Sequence, residues 1–208
     1  MIDPLKEIEA VFGYSELPHG LFYEFDTALR FELGGEAVGA GRPIKRFIQA
    51  FERADAVAAD LFAQSSVWLL SSAHSDVISS KEHLEPYRTI GLSQSDFIEL
   101  GAVAQNDLDH IEEFGGDLYR HWAAVLLEDP ELIREALWLA LGSELAIRPA
   151  INGSLYLVDF EKQIVLHPFD DCGMDVIATR KEVLADLYQS RHSWLLDYDM
   201  ARMKMTFE

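Results

Sequence analysis

Ile44, Phe47, Ile48, Phe51, Ala54, Ala58, Leu61 and Phe62 recur every three or four positions through residues 43–63. That period belongs to an α-helix, so the segment predicts one long amphipathic helix with Pro43 in its first turn. Fifteen or so residues earlier the period is different. Ala28, Arg30 and Glu32 alternate with Leu29, Phe31 and Leu33, the pattern of a half-buried strand. A fold that needs both periods is a mixed one, and the rest of the chain decides how the two are arranged.

Leu5, Ile8, Val11 and Phe12 follow Pro4 at helical spacing and predict a short opening helix. Residues 67–70 read as a short buried strand. His74, Asp76, Ser79 and Ser80 suggest a loop, residues 87–90 a strand, and 92–103 a stretch that includes a helix. Residues 107–117 are acidic with no basic side chain. Residues 118–127 read as a strand. Asp129 then caps a heavily buried helix with Pro130 at its first position. Residues 154–160 and 163–167 form a hairpin pattern, and 174–178 a further strand. Thr179 and Glu182 fit a capping box for the next helix, and Leu196, Met200, Met203 and Phe207 mark a last one. The expectation is a single α+β domain over residues 1–208, with a mainly antiparallel sheet flanked by helices. Phe47, Phe51, Leu61, Leu137, Leu187 and Trp194 are the expected core.

Length and composition bound the function. A chain of 208 residues with 49% hydrophobic side chains buries enough surface, about 70% of the unfolded total, for one core. Its apolar runs, such as 122–127 and 136–141, are far short of the ~20 residues a membrane span needs. The start, Met1-Ile2-Asp3-Pro4, does not read as a secretory leader. Cys172 has no partner for an intrachain disulfide, and a cytoplasmic location is expected. The net charge is −19, and the 36 acidic side chains are spread along the whole sequence. Such a field repels nucleic acid and anionic membranes and favours a basic protein partner.

His167-Pro168-Phe169-Asp170-Asp171-Cys172-Gly173-Met174-Asp175-Val176 resembles the signature of an uncharacterised bacterial domain family of unknown function, typically written YDDRGMDV. Tyr188 and Trp194-Leu195-Leu196-Asp197-Tyr198-Asp199 resemble its closing Y…WLLDYD segment, and Leu29 to Gly34 its first strand. Phe169 stands where Tyr is usual and Cys172 where Arg is usual. An Arg at 172 that bound an anion or paired with Asp197 or Asp199 would be lost here. The resemblance implies a fold unit and no activity.

Five aspartates are the candidate site: Asp170, Asp171 and Asp175, then Asp197 and Asp199. Brought together, they would offer the convergent oxygens a hard cation such as Mg²⁺ requires. The competing reading is structural, with Asp170 and Asp171 in a turn beside Gly173 and Asp197 or Asp199 capping the last helix. The glycine-rich segment 34–42 lacks the Gly-Lys-Ser/Thr of a phosphate loop and the third Gly of a dinucleotide loop, so it reads as a connector. The seven histidines include no i, i+4 zinc pair. His74-Ser75-Asp76 has no nucleophile elbow to serve. Cys172 follows two aspartates that raise its pKa and blunt it as a nucleophile.

With no catalytic signature and no cofactor motif, the favoured reading is a non-enzymatic acidic protein-binding module. Immunity-type proteins, which neutralise a basic toxin by fast steered association, are the analogy. The alternatives are a metal-dependent hydrolase or phosphate-handling enzyme built on the aspartates, and a structural domain of a homo-oligomer.

Overall fold

The computed structural model describes residues 3–35, 41–77, 80–105 and 118–208. Helix α1 (Pro4–Phe12) starts where the Asp3 carboxylate accepts the Lys6 N–H, and a short helix α2 (Leu21–Glu24) follows. Strand β1 (Ala28–Glu32) leads to α3 (Pro43–Phe62), the long helix that the apolar stripe predicts. Next come β2 (Val67–Ser75), a 3-10 helix (Glu82–Ile90), β3 (Ile98–Gln105) and β4 (Leu118–Leu127). Helix α4 (Pro130–Leu141) is capped by the Asp129 carboxylate on the Glu131 N–H. The chain ends with β5 (Ser154–Asp159), β6 (Ile164–Pro168), β7 (Gly173–Ala178), α5 (Glu182–Ser190) and α6 (Met200–Phe207).

The seven strands form one sheet in the order β1-β7-β6-β5-β2-β4-β3, and every neighbouring pair is antiparallel. An α+β fold is thus what the structure has. Helices α3 and α4 pack together, with α4 against β4, β5 and β6, and α5 lies against β7. The opposite side of β7 and β1 is covered by α2. With both faces covered, all of β6 and β7 is buried. That is why these strands read as continuous apolar runs rather than as alternation.

Several local expectations change. Residues 87–90 belong to the 3-10 helix rather than to a strand: Pro86 has no N–H for a ladder, and Gly91 ends the helix in a left-handed turn. In 92–103 the Ser93–Asp96 capping box starts only a three-residue turn, after which Ile98, Leu100 and Ala102 alternate into β3. Strand β2 runs on to Ser75, because Ser71 and Ser72 are buried ladder residues and not loop. Thr179 donates to the Gln163 side chain and caps no helix. Asp197 and Asp199 likewise make no side-chain cap for the last helix. The glycine-rich residues 36–40 and the acidic stretch 107–117 lie outside the described residues.

Phe47, Leu61, Leu137 and Leu187 are buried, whereas Phe51 and Trp194 are only partly so, at the margin of the core. Phe51 sits on the flank of the α3 stripe, against Phe47 and Trp138, with the Arg134 guanidinium over its ring. Phe47→Ala is therefore expected to cost about 3–5 kcal/mol, and Phe51→Ala clearly less. Denaturant midpoints of the two variants check this, and equal losses would contradict the placement.

Candidate functional site

The five aspartates take four different positions. Asp170 closes the β6–β7 turn, its Oδ1 accepting the N–H groups of Cys172 at 2.6 Å and Gly173 at 3.0 Å. Asp171 is buried and paired with Arg46 from the first turns of α3, which also reaches the Gly35 carbonyl and the Cys172 sulfur. Asp175, on β7, is fully buried and takes the Arg30 guanidinium in a two-pronged contact, Nε–Oδ1 at 2.7 Å and Nη2–Oδ2 at 2.9 Å. Its Oδ2 also accepts the Phe22 N–H of α2 at 3.1 Å. Asp199 lies 3.8 Å from Arg30 Nη1 and accepts the Tyr23 hydroxyl at 3.3 Å. Asp197 is exposed.

Arg30 is the junction. It faces Asp175 because the two are register partners across β1 and β7. The rings of Tyr23, Phe22 and Phe169 lie 4.5, 5.2 and 5.2 Å from its guanidinium carbon. Burial works against its charge, but the hydrogen bonds and field of Asp175, with Tyr23 and Asp199, outweigh that and raise its pKa. The structure joins Asp175 to Asp199 through this arginine and gives Asp171 a separate one. Among the described residues, no three His, Cys, Asp or Glu side chains are gathered to hold a metal. Cys172, at the position where the resemblance leads one to expect Arg, touches Arg46. Its pKa is raised by partial burial and then by Asp170 and Asp171.

A second polar group lies on the same side of the sheet. Arg120 of β4 is buried and donates to Ser72 Oγ at 3.1 Å, the Leu17 carbonyl at 2.6 Å and the Tyr156 hydroxyl at 2.8 Å. Glu16 sits 3.7 Å from it and accepts the Trp122 indole N–H at 2.9 Å. His167 stacks on Tyr156 at 4.2 Å between ring centres, with Nδ1 2.8 Å from the Leu155 carbonyl. Burial pushes its pKa down to about 3, and among the described residues its Nε2 has no partner. Arg120 on the Leu17 carbonyl, Trp122 on Glu16 and the Tyr156 hydroxyl on the Pro18 carbonyl tie the 16–18 segment to the sheet, and the remaining bonds join strand to strand, which is a structural use.

The third arrangement is concave. Between the end of β2, the start of the 3-10 helix, His121 of β4 and residues 150–152 lies a cleft of about 460 Å³. Asp76 and Glu82 stand at its edge, and His83 and His121 line it with ring centres 6.4 Å apart. Among the described residues neither imidazole Nε2 has a hydrogen-bond partner. His121 is 5% exposed. Burial, and then His121, hold His83 neutral, with its pKa down to about 4. No spacing in the sequence links these two histidines; only the packing of the 3-10 helix on β2 and α4 brings them together.

A model of one protein family matches residues 5–199. The chain belongs to the family described as a domain of unknown function, DUF3885. The DUF3885 match spans all seven strands and both partners of Arg30, and it ends at Asp199, just before α6. No curated protein and no solved structure matches the chain.

Two expectations follow from the geometry. Asp175→Ala leaves Arg30 buried and unpaired and should cost about 3–5 kcal/mol, whereas Asp197→Ala should stay within about 0.5 kcal/mol; chemical denaturation measures both, and similar losses would contradict the pairing. His167 is neutral when folded, while an unfolded imidazole takes up a proton near 6.5, so the unfolded state binds more protons below that pH. Its contribution is complete above about pH 6.5 and declines as the pH falls toward 3, by up to ~1.4 kcal/mol per pH unit. Unfolding curves between pH 7.5 and 5.5 should show this decline, and His167→Phe should make it shallower, with His83 supplying the rest; an unchanged slope would count against a neutral His167.

Proposed function

We propose that this DUF3885 chain is a non-enzymatic, acidic binding module for a basic protein partner. The observation that carries the reading is the outer face of α4. Glu131 and Glu135 are exposed, and among the described residues neither has an ion pair. Trp138 follows on the same face at helical spacing, 37% exposed. Its ring is held edge-on by Phe47 at 4.5 Å and by Phe51 at 5.7 Å, so the aromatic surface it offers is rigid. A pre-ordered tryptophan beside unpaired carboxylates suits a partner that brings cations and an apolar pocket.

The use of the cations supports the same reading. Arg30, Arg46 and Arg120 are turned inward onto Asp175, Asp171 and Glu16. Arg53 and Arg191 are drawn to Glu32 and Asp60. Neutral pairs leave the net charge of −19 unchanged, and that field speeds association with a basic surface and opposes nucleic acid. The exposed free thiol of Cys172 suits a reducing compartment, which supports a cytoplasmic location. No helix among the described residues is long and apolar enough to cross a membrane.

The test is differential capture from the cells that make the chain, comparing the parent with a Glu131→Lys/Glu135→Lys variant. The variant alters only exposed side chains and is expected to fold. A basic protein retained by the parent, released by salt and not retained by the variant is the predicted result. A partner held equally by both, or one that is acidic, would overturn the reading.

A further inference from the structure

We propose that the cleft bounded by β2, β4, the 3-10 helix and residues 150–152 is a binding site for a primary ammonium or guanidinium group. Its volume of about 460 Å³ is in the range of small-ligand sites. The cleft is built rather than incidental. His121 is set by the β2–β4 ladder, opposite Ala73. On the other wall Gly153 has φ +143°, and a Cβ there would collide with the Ser72 carbonyl, so the 150–153 loop closes onto β2 at a distance only glycine permits.

The unsatisfied atoms name the ligand. A buried polar nitrogen without a partner costs about 1–3 kcal/mol, and among the described residues His83 and His121 each present one, on side chains that line the same cleft. A neutral imidazole offers a ring nitrogen as acceptor, and the Asp76 and Glu82 carboxylates at the mouth are acceptors only. Among the described residues neither carboxylate has an ion pair, while the neighbouring Lys81 is held by Glu99. An ammonium brings three donors and a guanidinium five, with no acceptor. An anion would meet the two carboxylates head on. A structural zinc takes four protein ligands and a catalytic one three, more than the described residues assemble. The group bound belongs either to a free amine or to a Lys or Arg side chain of a partner; the contacts are the same.

The test uses the whole chain and agmatine, which carries both groups, at constant ionic strength. Ring resonances of His83 and His121 should shift saturably in long-range proton–nitrogen spectra, and calorimetry should give a matching affinity. Asp76→Asn/Glu82→Gln alters exposed residues, so the fold is expected to persist, and it should weaken binding at least fivefold. Displacement of agmatine by a blocked Arg dipeptide assigns the site to a partner's side chain; failure to displace it assigns the site to free amines. The proposal is overturned if agmatine leaves both rings unmoved, if the double variant binds as the parent does, or if inorganic phosphate or Zn²⁺ shifts the two rings where agmatine does not.

Discussion

The Arg30 guanidinium holds three parts of the chain at one point. Through Asp175 it locks β1 to β7, and through the Phe22 N–H on the same carboxylate it fixes α2 over that face. Through Asp199 and the Tyr23 hydroxyl it seats the start of α6. The backbone repeats the connection: Leu196 N–H donates to the Arg30 carbonyl, and Phe31 bridges Leu195. The outer edge of β1, otherwise a row of unpaired groups open to another strand, is closed by this segment. A buried ion pair is a poor source of net stability, because desolvation offsets its attraction. Its value lies in specifying one register and one docking, since any shift leaves a buried charge alone.

Carboxylates outnumber cations in this chain, 36 to 17. A chain with a net charge of −19 has few positive groups, and the fold draws Arg30, Arg46 and Arg120 into its interior or onto its seams. Exposed carboxylates without an ion pair among the described residues stand along α4 and at the mouth of the histidine-lined cleft. The partner face proposed on α4 and the cation site proposed in the cleft both rest on such carboxylates.

How much of this was legible in the sequence depends on the range of the interaction. Helix α3, the β5–β6 hairpin and the capped start of α4 are visible because period and capping are local. The extension of β2 was hidden by Ser71 and Ser72, which look like loop and are buried ladder residues satisfied by long-range partners such as Arg120. The aspartates stood out, but not their counterions: Arg30 lies 145 residues from Asp175 and Arg46 lies 125 from Asp171. Arg30 reads as a solvent-facing strand residue until α2 is placed over it. His83 and His121 carry no motif at all, and their meeting is a product of tertiary packing alone.

The central claim is that Arg30 docks α2 and α6 onto the sheet as one unit. Amide hydrogen exchange in an Arg30→Met variant, followed well below its unfolding temperature, tests it most directly. The account predicts that protection falls together in Leu21–Glu24 and Met200–Phe207, while the central strands β2, β4 and β5 keep theirs. Unchanged protection in both helices, or a loss confined to one of them, would contradict it.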